Sequence, residues 1–190
     1  RRAFRGSAGD VVTGVIHALA GRGDKALASL TSATSQIRVQ DPFDVLPLVQ
    51  ALSTSVRAVQ GNTQSVEGSV PDAADFRHHP QELIRLMSHV LRLEAKWATD
   101  TQKLCGELRS IARESLKTGM VPIALYCLTR AAGRGDHAAV QELVTAAASD
   151  NGRWASALYC YGSGLEQKSP SLLLESAALA DELGNDLLCN

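Results

Sequence analysis

Histidines, cysteines, carboxylates and serines are the residues of this chain that could bind a metal or carry a reaction. His78 and His79 are adjacent, and His89 follows further on. A zinc site wants a tetrahedral set of nitrogen and sulfur donors. Adjacent histidines on a loop rarely converge on one ion, and no cysteine or carboxylate nearby completes a set. The four cysteines are Cys105, Cys127, Cys160 and Cys189, none in a C-x-x-C. Each falls in a helical pattern, where a free thiol behaves as a small hydrophobe. The expectation is four reduced, unmetallated thiols in a reducing compartment.

Acid–base catalysis needs two carboxylates converging in an apolar pocket. Asp181 and Glu182 are neighbours in sequence and point apart on a helix. There is no D-D-x-x-D run to hold magnesium and no G-x-S-x-G elbow to carry a nucleophile. Gly162-Ser163-Gly164 is too short to cradle phosphates and reads as a break or kink in a helical pattern. Arg22-Gly23-Asp24 and Arg134-Gly135-Asp136 spell a cell-adhesion tripeptide twice, but both serve as a helix stop followed by a helix start. His17 and His137 are isolated. The chain is therefore not read as an enzyme, and no catalytic, metal or cofactor residue is assigned. The residues left as candidates are Tyr126 and Arg130, four apart on one helix, and Tyr159. These three could line a groove on the inner wall of a helical array.

Composition sets what must position them. Hydrophobic residues make up 45% of the 190 and charged residues 21%, while aromatics are only 4%. A chain of this length hides about 70% of its unfolded surface, enough for a core without disulfides or metals. Runs rich in Ala, Leu and Ser favour helices packed closely over a sheet. The net charge is −1, with a local basic cluster only at Arg1, Arg2 and Arg5. Nucleic-acid binding draws its affinity from several Lys or Arg on one face, so no direct nucleic-acid partner is expected. Apolar runs such as Leu172-Leu173-Leu174 are far shorter than the ~20 residues of a membrane span. The expected setting is the cytoplasm. The first residue is not Met, which implies a piece of a longer polypeptide.

Helix punctuation is legible along the chain. Asp10 is placed to cap a run carrying Val11, Val12, Val15, Ile16 and Leu19, and Asp24 to cap one carrying Ala26, Leu27, Leu30 and Ile37. Asp41-Pro42 starts a third, which Pro47 would delay. Residues 61–79 break the pattern and read as a mobile loop. Pro80 opens a strongly apolar helix, Asp100 or Thr101 the next, and Gly119 ends that one. The reading is nine helices and the start of a tenth at Asn185, in one helical-repeat domain over 1–190. It comprises N-terminal helices over 1–60 and a repeat array over 80–190.

The repeat itself shows late in the chain. Ala124-Leu125-Tyr126-Cys127 returns as Ala157-Leu158-Tyr159-Cys160, thirty-three residues on. The same offset separates the two expected N-caps, Asp136 and Ser169, and the glutamates Glu142 and Glu175. Two helices in about 34 residues is the period of tetratricopeptide-type repeats, whose hairpins stack because one alone cannot bury its apolar face. Ala20-Gly21-Arg22-Gly23-Asp24 also returns, as Ala132-Gly133-Arg134-Gly135-Asp136. The predicted fold is all-α, with antiparallel hairpins stacked as a tetratricopeptide-like superhelix.

From about Leu108 the chain resembles the helical-repeat region of the large LuxR-type transcriptional regulators of bacteria, the class that includes the maltose-operon activator. The residues carrying this are Ala112, Leu116 and Gly119, then Ala124, Leu125 and Leu128, then Gly135-Asp136 with Leu143. Trp154-Ala155, Ala157-Leu158 and the closing Leu173, Ala177, Ala180 and Leu183-Gly184 complete it. The resemblance implies a middle domain that senses an effector or mediates self-association. A nucleotide-binding switch domain would precede it and a DNA-binding domain follow it. The chain has no G-x-x-x-x-G-K-[ST] loop and no helix-turn-helix, and it lacks the Trp, Leu-Gly and Tyr signature of regular tetratricopeptides. The expected partner is a protein or small effector on the inner face, with a homo-oligomer as a further expectation. A free-standing helical-repeat adaptor is the alternative reading, and an all-α enzyme the third.

Overall fold

The computed structural model describes residues 2–41, 44–61, 81–97 and 100–184. Among these the protein is all-helical, with no strand. The helices are α1 (Arg2–Leu19), α2 (Gly23–Ile37), α3 (Leu46–Val59), α4 (Glu82–Lys96), α5 (Thr101–Lys117), α6 (Val121–Ala132), α7 (His137–Ala148), α8 (Arg153–Gln167) and α9 (Pro170–Glu182). They form two compact units, residues 1–98 and 99–190. Within each unit, helices consecutive in sequence pack as neighbours. The expected 61–79 loop, apart from Gly61, lies outside the described residues, as do Pro80, the helix start at Asn185, and Cys189.

In the first unit, Leu30 and Ala33 of α2 and Val49 of α3 have no exposed surface, and Leu91 of α4 joins the same cluster. Val11, Val15 and Ala18 of α1 pack against its edge. Two expected caps do other work. Helix α1 already runs from Arg2, so Asp10 is in mid-helix, where it accepts hydrogen bonds from Ser32 Oγ (2.6 Å) and Gln36 Nε2 (3.0 Å) of α2. Asp24 is inside the first turn of α2, whose N-cap is Arg22, and it accepts from Gln60 Nε2 at 2.9 Å. Asp41 does serve a helix start. Its carboxylate takes the N–H groups of Val45 (3.0 Å) and Leu46 (2.8 Å), and α3 begins at Leu46 with Pro47 in its first turn. Helix α4 packs on α3 in this unit; it was expected to open the repeat array.

The second unit holds the repeat, and its turns show why the period is kept. Asp136, the N-cap of α7, donates its N–H to Ala131 O at 3.2 Å, immediately after Gly135 at φ +86°. Thirty-three residues on, Ser169 donates to Gly164 O at 2.9 Å, immediately after Lys168 at φ +51°. Each turn is a left-handed residue followed by a bond to the carbonyl five residues back, the reversal that ends a helix with its last carbonyls satisfied. The caps differ in detail: Asp136 Oδ1 accepts from Ala138 N and Ala139 N, whereas the Ser169 hydroxyl meets Ser171 Oγ.

Burial follows the same offset. Ala124, Leu125 and Leu143 are buried in the first hairpin, and Ala157, Leu158 and Ser176 hold the matching places in the second. Ser176 stands on α9 where Leu143 stands on α7. Ser176 Oγ donates to Ala157 O at 2.8 Å. A Cβ on Gly164 would come within 2.8 Å of Leu173 Cδ2 and 3.1 Å of the Leu173 backbone nitrogen. Of the break or kink expected at Gly162-Ser163-Gly164, the break does not occur. Helix α8 runs through these residues, and the missing side chains let its neighbours approach.

Four outcomes follow for stability, read by urea unfolding. Gly164→Ala gains about 1 kcal/mol in helix propensity but forces an overpacking cost of ~1–3 kcal/mol, so it destabilises. Gly106→Ala on α5, where an added Cβ meets nothing within 4 Å, stabilises by up to about 1 kcal/mol. In the turns, Gly135→Ala costs ~1–2 kcal/mol because an L-residue is forced left-handed. Lys168→Gly relieves the same strain and raises the midpoint. Equal effects of the two helix substitutions, or a gain from Gly135→Ala, would contradict the packing described.

Candidate functional site

The repeat puts Tyr126 and Tyr159 at the same position of successive modules, on α6 and α8. Their surroundings differ. Tyr126 is half-buried, while Tyr159 is 42% exposed. Arg130 stands one turn after Tyr126, half-buried, and its backbone carbonyl accepts a hydrogen bond from Arg134 Nη1 at 2.9 Å.

The structure adds one residue to this region, Tyr161, which sequence reasoning missed. It occupies the place that Leu128 fills, fully buried, one module earlier. Burial pushes its phenol above the ordinary tyrosine range, and the positive charge of Arg130 pulls the other way. The structure thus brings Arg130 of α6 and Tyr161 of α8 into electrostatic reach. The Tyr161 hydroxyl reaches the end of α6, 3.3 Å from where a Gly133 Cβ would be. The hint in the sequence was the substitution itself, a polar-tipped aromatic at a position whose repeat partner is a core leucine. A buried Tyr hydroxyl ordinarily seeks a partner.

A second polar cluster joins α5 to α7. Arg109 and Arg113, one turn apart on α5, both hold Glu142. Arg109 Nη2 and Nε lie 2.9 and 3.1 Å from Glu142 Oε1, and Arg113 Nη2 lies 2.7 Å from the same oxygen. Arg109 Nη1 is also 3.7 Å from Asp136 Oδ2, so it reaches the cap of α7. Burial works against the Glu142 charge, but the hydrogen bonds from Arg113 and Arg109 outweigh it and hold its carboxyl below the usual carboxylate range. The repeat partner Glu175 is exposed on α9 and has no such clamp among the hydrogen bonds described. Its charge instead adds to burial in raising the Cys160 thiol. Glutamates that match in sequence thus do different work.

Cys105 and Cys127 are buried and Cys160 is half-buried, all as free thiols. Burial raises the Cys105 thiol above its ordinary range. The charge of Asp136 acts in the same direction, and Arg134 and Arg109 oppose it. Cys105 Sγ contacts Ala131 O at 3.8 Å. Among the described residues no three of His, Cys, Asp and Glu are grouped to hold a metal ion. His137 is exposed, and His78 and His79 lie outside the described residues. No helix among the described residues is long and apolar enough to cross a membrane.

Chemically, the α6–α8 region offers a guanidinium, two partly buried phenols and an exposed phenol. That set can bind polar or aromatic groups. No family model, curated protein or solved structure matches the chain.

The clamp makes a testable electrostatic claim. A double-mutant cycle of Arg109→Ala and Glu142→Gln should give a coupling of about 0.5–1 kcal/mol at pH 7, the range of partly exposed ion pairs. A carboxyl whose folded pKa is depressed adds stability above its unfolded pKa and loses it as pH falls through the folded value. The coupling should therefore shrink in strongly acid solution and with added salt. A coupling unchanged by acid would mean that the pair is held by packing alone. Separately, an Ellman titration of native protein should find Cys105 and Cys127 unreactive until denaturant is added, because the thiolate is the reactive form and both are buried.

Proposed function

We propose that this chain is an effector-sensing or protein-interaction module of a LuxR-type transcriptional regulator of the cytoplasm, without DNA-binding activity of its own. The observation that supports it most is the recurrence of one hairpin at a thirty-three-residue offset, matched in turn geometry, capping position and burial. Stacked hairpins of this kind present extended surfaces on which partners lie. The residue resemblance from Leu108 onward covers the same segment.

In this reading the ligand, a protein or a small effector, meets the first helices of the hairpins, α6 and α8. Tyr159 offers an exposed ring on α8, Tyr126 and Arg130 stand on α6 of the preceding module, and Tyr161 is the polar group added near Arg130. Self-association is a further role of the same class. No cofactor is assigned. Charge supports the exclusion of DNA. The chain carries a net charge of −1, and Arg109 and Arg113 are committed to Glu142 instead of a cationic face. The sequence clusters its cations only at Arg1, Arg2 and Arg5, so little counterion release is expected to drive binding, and no groove-reading element stands in the sequence.

The test is electrophoretic mobility of promoter DNA at low salt, with the 190-residue chain alone and with the product of its whole reading frame. The chain alone should leave the DNA unshifted, and the whole product should retard it. Tight, salt-sensitive binding by the 190 residues would overturn the proposal. No retardation by the whole product would favour the free-standing adaptor, in which the same helical surface serves a protein partner.

A further inference from the structure

We draw no further inference here: the strongest candidate, the outward face of α1 where Val12 and Ile16 stand exposed one turn apart, carries none because nothing in the structure shows what covers it.

Discussion

One kind of hydrogen bond organises four of the helical joins. A residue in the left-handed conformation ends a helix, and the next residue donates its N–H to the carbonyl five positions back. It occurs at Arg22 to His17 O, Met120 to Ser115 O, Asp136 to Ala131 O and Ser169 to Gly164 O. The residues just before these donors are Gly21, Gly119, Gly135 and Lys168, all at positive φ. In each case the donor is also the N-cap of the following helix. One residue therefore closes one helix and opens the next. A single bond of this kind contributes only about 1 kcal/mol net. Its larger effect is geometric, since a reversal completed within two to four residues obliges the two helices to lie side by side.

Close neighbours then need small side chains, and the composition supplies them. Ala124, Ala131, Ala139 and Ala157 have no exposed surface. Burying alanine stabilises little, because the gain scales with apolar area removed from water. Such a core holds by many short contacts and few large anchors. Polar stitches between helices add direction where area is scarce: Asp10 to Ser32 and Gln36 in the first unit, Arg109 and Arg113 to Glu142 in the second. The same economy bears on function. With few aromatics in the sequence, the tyrosines of α6 and α8 and Trp154 of α8 are the large, amphipathic side chains of the repeated hairpins. The modules differ where these stand, Leu128 in one being replaced by Tyr161 in the next. A repeat that varies there while keeping its turns can alter its surface without altering its fold.

Much of the fold was legible because its signals are local. Helix periodicity, the stop at Gly119, the helix start read at Asp100 or Thr101 and the cap at Asp136 all act within one or two turns of backbone. Lys103 N to Asp100 Oδ1 at 3.1 Å is such a bond, and residue type and spacing are enough to find it. The candidate site was legible only in part. Tyr126, Arg130 and Tyr159 followed from helix position, but Tyr161 and the Arg109–Arg113–Glu142 clamp depend on which helices face each other.

The limit is clearest where identical sequence takes different structures. In Ala132-Gly133-Arg134-Gly135-Asp136 the second glycine is left-handed and the aspartate caps, as expected. In Ala20-Gly21-Arg22-Gly23-Asp24 the first glycine is left-handed, Arg22 caps, and Asp24 is already inside the helix. The five residues are the same, so the choice was made from outside them. The Gln60 amide after α3 lies 2.6 Å from where a Gly23 Cβ would be and donates to Asp24. The sequence alone determined that a helix ends and another begins here, because glycine and aspartate satisfy those ends locally. Tertiary structure decided the frame, because Gln60 is distant in the chain and becomes a neighbour only when the helices pack.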